Sequence, residues 1–317
     1  MMTIQQKTAI GRAHSKIILI GEHAVVYGKP AIALPFPSLE VVSSVKAISG
    51  ELFLACRYFV GKLNEAPKDL KGISACIIET LKSLKQPTDG LHIRIDSSVP
   101  IGRGLGSSAS SAIAVVKSLY DYFEEKLSKT KLLELVHISE TFAHGNPSGI
   151  DMMAASSDQP LWFEKAREIS PVEVKSPLHL VVADTGRIGG TLEAVDSIRK
   201  NRLTFPDKVK RSIDLLGYYT VQTRSALAQG NLLVVGKMMD AAHRELKKLG
   251  VSDPELDHLV QAAKDRGALG AKLTGGGKGG CLIALASSRE HAEDLVEGLL
   301  RNGAAQAWSY ILARNTG

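Results

Sequence analysis

"PIGRGLGSSAS", residues 100–110, sets Gly102, Gly104 and Gly106 directly before Ser107, Ser108, Ala109 and Ser110. The preceding "LHIRIDSSV" (91–99) alternates Leu91, Ile93 and Ile95 with His92, Arg94 and Asp96, the period of a half-buried strand. After the serines, Ile113, Val116, Leu119 or Tyr120, and Phe123 recur at helical spacing. Strand, glycines, then helix is an anion-binding arrangement. The first turn of a helix leaves backbone N–H groups without partners, and the helix dipole adds positive potential there. Glycines let the backbone approach a phosphate closely. The hydroxyls of Ser107 and Ser108 can reach a phosphate or its metal ion. The stretch is therefore built to hold a polyphosphate.

Two other phosphate loops are set aside. A Walker A loop needs Gly-Lys followed by Ser or Thr, and Lys29, Lys62, Lys237 and Lys278 are each followed by something else. The dinucleotide pattern matches at Gly104, Gly106 and Ala109, but its acid should end a second strand about 20 residues on. Glu124 and Glu125 stand there instead, within or at the end of the same helix. This argues against a nicotinamide-linked oxidoreductase. A bare glycine turn packing helix on strand is the remaining plain alternative.

Outward from this stretch the chain alternates strands and helices. "SKIILI" (15–20), "GKPAIALP" (28–35), "LEVVSSVKAI" (39–48) and "ELFLACRYFV" (51–60) are expected as four separate strands. Residues 70–84 put Ile73, Ile77, Leu81 and Leu84 on one helical stripe. A helix over about 129–144 has Ser128 as its N-cap, and Gly145 and Pro147 stop it. "MMAAS" after Asp151 opens another helix. Strands follow in "PLWFE", "ISPVEV" and "LHLVVAD", and helical patterns fill about 190–267. The tail reads strand "AKLT", glycines, strand "CLIALA", helix 289–302 and strand "AWSYILA". Strands and helices mixed twice over predict two α+β domains, divided as 1–185 and 186–317.

The 317 residues, 44% hydrophobic and 23% charged, are enough for two packed cores without metal or disulfide support. The net charge of +6 favours an anionic ligand, but the lysines are spread along the chain and form no nucleic-acid stripe. Cys56, Cys76 and Cys281 are odd in number and lack metal-clamp spacing, which predicts a reducing, cytoplasmic setting. The apolar run "IILIG" is cut at once by Glu22 and His23, so no signal peptide is expected, and no run approaches the roughly 18 apolar residues of a membrane span. The histidines, His137 and His144 included, show no zinc spacing and are expected to be structural.

Three stretches together, "GRAHSKIILIGEHAVVYGKPAIALP" (11–35), "PIGRGLGSSAS" (100–110) and "KLTGGGKGGC" (272–281), resemble the three ordered motifs of the GHMP small-molecule kinases. "HGNPSGID" (144–151) and "ADTGRIGGT" (183–191) are similar to stretches of the branch that phosphorylates mevalonate. The resemblance implies an N-terminal domain like ribosomal protein S5 domain 2 and a ferredoxin-like C-terminal domain. It implies transfer of the ATP γ-phosphoryl group to the C5 hydroxyl of (R)-mevalonate. The alternatives are another kinase of the family, such as one acting on phosphomevalonate, or an inactive ATP-binding relative. The third motif departs from the commoner T-G-A-G-G-G-G-C form. Gly276 replaces alanine, which is harmless in a glycine loop. Lys278 replaces glycine, and is read as solvent-facing, with contact to a phosphate the alternative.

The same resemblance assigns roles. Pro100, Gly102, Arg103, Gly104, Leu105, Gly106, Ser107, Ser108 and Ala109 would bind ATP. Ser108 and Glu140 would hold Mg²⁺, a hard cation that takes oxygen ligands and keeps several waters. Asp151 would be the base for the substrate hydroxyl, with Lys16 beside it. Glu22, His23, Thr185, Thr191, Gly275 and Gly276 would line the substrate pocket, and Asn146, Pro147 and Ser148 would shape the loop near the nucleotide. The expected partners are ATP and mevalonate, with no nucleic acid or membrane. The sequence leaves room for a homodimer.

Overall fold

A computed structural model describes residues 7–144, 147–165 and 167–315. Gly145 and Asn146, expected as a helix cap and a loop-shaping residue, lie outside the described residues. In chain order the elements are β1 (Thr8–Ile20), β2 (Ala31–Glu51), β3 (Phe53–Cys56), β4 (Phe59–Lys62), α1 (Lys71–Ser83), β5 (Asp89–Ser97), α2 (Ser107–Tyr122), α3 (Lys129–His144) and α4 (Ile150–Ala155). They continue with β6 (Leu161–Phe163), β7 (Ser170–Pro171), β8 (Leu178–Asp184), α5 (Thr191–Thr204), α6 (Pro206–Gln229), α7 (Leu232–Lys248), α8 (Pro254–Asp265), β9 (Gly270–Thr274), β10 (Cys281–Ala286), α9 (Arg289–Arg301) and β11 (Gln306–Leu312). The chain forms two compact units, neither continuous in sequence. One takes the chain through Ser15, Leu39–Pro100 and Gly106–Ser156. The other takes Lys16–Ser38, Ile101–Leu105 and the chain from Ser157 on.

In the first unit, β2 runs antiparallel to β5 from Val41↔Ser97 to Ala47↔Leu91, and β3 runs parallel to β5. The expected alternation holds: Leu91, Ile93 and Ile95 are buried while Arg94 and Asp96 are exposed. Helices α1, α2 and α3 pack on one another. Ile73, Ile77 and Leu81 are buried on α1, and Ile113, Val116, Leu119 and Tyr120 on α2. Gly11 of β1 passes so close to α2 that a Cβ there would overlap the backbone of Ala114 and Ser118. The buried hydroxyls of Ser43 and Ser118 meet at 2.8 Å, tying β2 to the same helix. Ser128 caps α3 by accepting from Lys131 N at 3.2 Å, as its side chain predicts.

None of the four expected strands keeps its bounds: the first already begins at Thr8, and the other three are redrawn. Residues 31–51 form one strand through Pro35 and Pro37. Both prolines fall between the pairing of Ala31–Ala33 with β6 and that of Val41–Ala47 with β5, where neither of those ladders draws on their missing N–H groups. Residues 51–60 are not one strand, because β3 and β4 fold back at Arg57 and Tyr58, with Cys56 opposite Phe59. The turn lacks the Gly, Asn or Asp that would have marked it.

In the second unit, an antiparallel sheet has the order β11-β8-β10-β9. Its register aligns Asp184 with both Cys281 and Gln306, and Cys281 with Thr274. One end of the sheet therefore gathers the end of β8, the start of β10 and the end of β9. The glycine-rich segments 185–190 and 275–280 leave from that end. β9 and β10 are buried along their whole length, with α7 and α8 packed on β9 and α9 on β8 and β11. Asp253 and Ser288 cap α8 and α9 through their side chains. Cys56, Cys76 and Cys281 are free thiols. Among the described residues no helix is long and apolar enough to cross a membrane.

Candidate active site

In the second unit, β1 brings Lys16 to the segment 101–105. The lysine is 1% exposed, its Nζ donates to Gly104 O at 3.0 Å, and its backbone N–H donates to Leu105 O at 3.2 Å. Two residues on, Ile18 exchanges backbone bonds with the hydroxyl of Thr274: Ile18 N donates to it at 3.1 Å and Ile18 O accepts from it at 2.9 Å. The chain then turns at Gly21 into Glu22 and His23, and a 3₁₀ turn follows at Ala24–Tyr27. His23 takes φ 61°, a left-handed conformation uncommon for a residue with a Cβ.

Glu22 is 2% exposed and ion-paired with Lys272 of β9, which is fully buried. Burial pushes the Glu22 carboxyl up, and Lys272 opposes that shift. Burial pushes the Lys272 ammonium down, and Glu22 opposes it. The second carboxylate oxygen, Glu22 Oε2, is buried with no hydrogen-bond partner among the described residues. His23 Nε2 lies 2.9 Å from Gly276 O. A carbonyl only accepts, so this nitrogen carries the hydrogen. Burial lowers the His23 pKa to about 4, leaving the imidazole neutral near pH 7.

The glycine-rich segments of this unit touch backbone to backbone. Gly189 N donates to Gly102 O at 2.7 Å. A Cβ on Gly104 would stand 2.9 Å from Gly275 Cα, and one on Gly275 would stand 2.7 Å from Gly104 Cα. Thr191 opens α5 with its hydroxyl in the space a Cβ on Gly276 would need. Glycine in place of the commoner alanine is thus a fitted choice in this chain. The Thr185 hydroxyl donates to Gly280 O at 2.9 Å. Lys278 is half-buried at φ 54°, donating its N–H to Val251 O at 2.9 Å and accepting from Gly190 N at 3.1 Å. Arg103 turns to β8: Nε donates to Asp184 Oδ2 at 3.0 Å and Nη2 to Gly186 O at 2.6 Å.

The first unit holds Pro100, Gly106, Ser107, Ser108, Ala109, Glu140 and Asp151. Gly106, at φ 74°, leads into α2, whose first residues are Ser107 and Ser108. The Ser108 hydroxyl stands 3.4 Å from that of Ser139 on α3, the neighbour of Glu140, which is 2% exposed. Asp151 is half-buried in the first turn of α4, after Gly149 at φ 86°. Helices α2, α3 and α4 pack on one another, so Ser108, Glu140 and Asp151 sit on three mutually packed helices.

Sequence reasoning missed Lys272, Thr274, Ser139 and Asp184. The available signals were a lysine inside the otherwise apolar "AKLT" and an aspartate ending the apolar "LHLVVAD".

Comparison with known proteins places this geometry. Residues 73–159 match the GHMP kinases N terminal domain and residues 223–305 the GHMP kinases C terminal domain. A mevalonate kinase of Pyrococcus horikoshii is 32% identical over 305 residues, covering 90% of each chain. The chain belongs to the GHMP kinase family. It shares the family's two-domain α+β architecture. The L. major mevalonate kinase, solved in complex with R-mevalonate, superposes with a TM-score of 0.86 at 27% identity over 99% of both chains. The Methanococcus jannaschii mevalonate kinase gives a TM-score of 0.82 at 27% identity over 98% of this chain and 99% of that one. Within this GHMP kinase, the residues of all three motifs are therefore set in a fold that known small-molecule kinases share.

Proposed function

We propose that the chain is an ATP-dependent kinase of mevalonate, converting ATP and (R)-mevalonate to ADP and 5-phosphomevalonate in isoprenoid synthesis. The observation that carries this reading is the end-to-end likeness to mevalonate kinases in both sequence and structure. In the reaction, the C5 hydroxyl oxygen forms a bond to the γ-phosphorus. The bond from that phosphorus to the β–γ bridging oxygen breaks, and ADP leaves with its electrons. The hydroxyl proton goes to a carboxylate, for which Asp151 is the candidate. Lys16 is the candidate cation for the charge on the moving phosphoryl group. Its ammonium already donates to a carbonyl of the glycine loop, which fixes its place in its own unit.

Phosphoryl transfer asks mainly for positioning and charge neutralisation. Pro100, Gly102–Ala109 and the start of α2 are the candidate cradle for the phosphates. Glu22, His23, Thr185, Thr191, Gly275 and Gly276 are the candidate substrate side; with the N–H of the neutral His23 given to Gly276 O, its Nδ1 is left to accept from a substrate hydroxyl. Ser108 and Glu140 offer one hydroxyl and one buried carboxylate from packed helices, an oxygen donor set of the kind Mg²⁺ takes. When bound there, Mg²⁺ would neutralise phosphate charge. The expected division at 185/186 falls between the two family matches at 73–159 and 223–305. However, β8 pairs with β10 and β11 and the chain from Ser157 on belongs to the second unit, so β8 goes with the C-terminal domain. The three free cysteines support a reducing, cytoplasmic setting.

A panel of alcohols with coupled detection of ADP tests the assignment. Mevalonate should give ATP-dependent turnover with the phosphate on C5 by phosphorus NMR. Turnover on phosphomevalonate with none on mevalonate would replace this reading with its nearest rival. Absence of turnover on any alcohol, with ATP still bound, would mark an inactive relative.

A further inference from the structure

Asp184 ends β8 where the glycine-rich segments of the second unit leave the sheet. Its carboxylate is fully engaged: Oδ2 accepts from Arg103 Nε at 3.0 Å and Oδ1 from Gly186 N at 2.9 Å. Arg103 Nη2 closes the ring by donating to Gly186 O at 2.6 Å. The pair is withdrawn from water, with side chains 14% and 5% exposed for Arg103 and Asp184. Arg103 Nη1 is buried with no hydrogen-bond partner among the described residues.

An ion pair that strands a buried donor is a poor source of stability. Apolar side chains of similar volume commonly do as well or better in such places, because two charges must be stripped of water. What the ring does supply is geometry. Arg103 lies between Gly102 and Gly104, both at positive φ, and its guanidinium is held by two acceptors, Asp184 Oδ2 at the β8 terminus and Gly186 O in the following turn, while Gly186 N in turn holds Asp184 Oδ1. The same turn continues to Gly189, whose N–H holds Gly102 O. The loop is thus anchored twice to residues 184–189: once through a side chain and once through the backbone.

We propose that Asp184 is a positioning residue for nucleotide binding, acting through Arg103 to fix the path of residues 102–105. This rests on reading the loop as the phosphate cradle. An anchor of this kind matters because misplacing a substrate-positioning group by about 1 Å can cost on the order of 100-fold in kcat/KM.

The test uses the full chain with Asp184→Asn, Arg103→Met and the double variant. ATP affinity is measured by calorimetry without mevalonate, KM and kcat by ADP release, and folding by Tm. Each single variant should weaken ATP binding and raise its KM by about 10- to 100-fold. The KM for mevalonate should shift far less, and kcat at saturating ATP should fall less than KM rises. Because both residues belong to one ring, the double variant should bind ATP no more weakly than the weaker single. Unchanged ATP affinity in a folded Asp184→Asn protein, or single effects that multiply in the double, overturns the proposal. Should Asp184→Asn fail to fold, Asp184→Ser takes its place, and wild-type ATP affinity in the folded Asp184→Ser protein is the overturning result. A wild-type chain that binds no ATP refutes the phosphate-cradle reading itself, and the positioning role falls with it.

Discussion

Replacing Lys272 with methionine isolates a single charge. The methionine keeps most of the stem's volume in β9, so little cavity follows, and the change is chiefly the loss of the ammonium facing Glu22. That carboxylate is 2% exposed, and its other oxygen has no hydrogen-bond partner among the described residues. Breaking a buried pair on one side costs about 3–5 kcal/mol, because an uncompensated charge stays behind. For a chain of this size that is a fall in Tm of about 5–8 °C. The effect should depend on pH in a stated direction. Burial already pushes the Glu22 carboxyl above its ordinary value, and Lys272 is the main opposing influence. Without the lysine the folded-state pKa rises further. The variant then keeps its stability below the unfolded carboxyl's pKa and loses it as pH rises through the folded one. Calorimetric scans of Lys272→Met from pH 4.5 to 8 should therefore show the gap to wild type widening with pH. Glu22→Gln in the same chain should close most of that gap. A Lys272→Met protein within about 1 kcal/mol of wild type at pH 8, or one whose gap ignores pH, would refute the view that this pair is a closed, water-excluded unit.

Gly276→Ala, a return to the family's commoner residue, should cost about 1–3 kcal/mol through collision with Thr191, and pairing it with Thr191→Gly should recover most of the loss in Tm. His23 and His243 are both held at a pKa of about 4 by burial. The unfolded chain takes up protons below about pH 6.5 while the folded one does not, so each histidine contributes up to about 3 kcal/mol above that pH, lost progressively towards pH 4. Scans from pH 7 to pH 4.5 should show a steep fall in Tm, flattened in His243→Gln, and an unflattened fall would place the buried protonation elsewhere. Asp151→Ala should lower kcat by on the order of 10²–10⁴ while leaving ATP affinity nearly intact, and unchanged turnover would remove Asp151 from the role of base.

The helices were legible because their signals are local. Ile73, Ile77 and Leu81 mark a stripe within one window, and Ser128 marks the start of α3 with its own side chain. The strand boundaries that failed depend on partners. Whether Pro35 can sit in a strand is decided by which ladder needs its N–H, and nothing near residue 35 says so. Distance explains the missed site residues as well. Lys272 pairs with Glu22 across 250 positions, and Asp184 with Arg103 across 81. In one dimension each is a lone charge at a strand. The motif residues were found at all only because three glycine-rich or acidic stretches occur in a family's order. Residue chemistry alone justified a polyphosphate, but not an alcohol to receive the phosphoryl group.

The glycines around residue 104 answer to two demands at once. A phosphate cradle needs bare backbone that can come close to an anion, and this was reason enough to notice the stretch. The fold of the second unit imposes a separate requirement. Gly104 and Gly275 face each other so closely that neither can carry a Cβ, and Gly280 could carry one only by crowding Arg103 O at 3.0 Å. These contacts exist before any nucleotide arrives. A substitution at Gly104 therefore alters the mutual fit of two loops as well as any ligand's approach, and loss of activity there cannot by itself identify a phosphate contact. Gly106 stands differently, as the left-handed residue from which α2 starts, with the first-turn N–H groups, which a helix cannot pair internally, following directly behind it. The argument for an anion is strongest at Gly106–Ser108, where helix geometry supplies the donors. It is weakest at Gly104 and Gly275, where packing of the loops on each other already explains the absence of side chains.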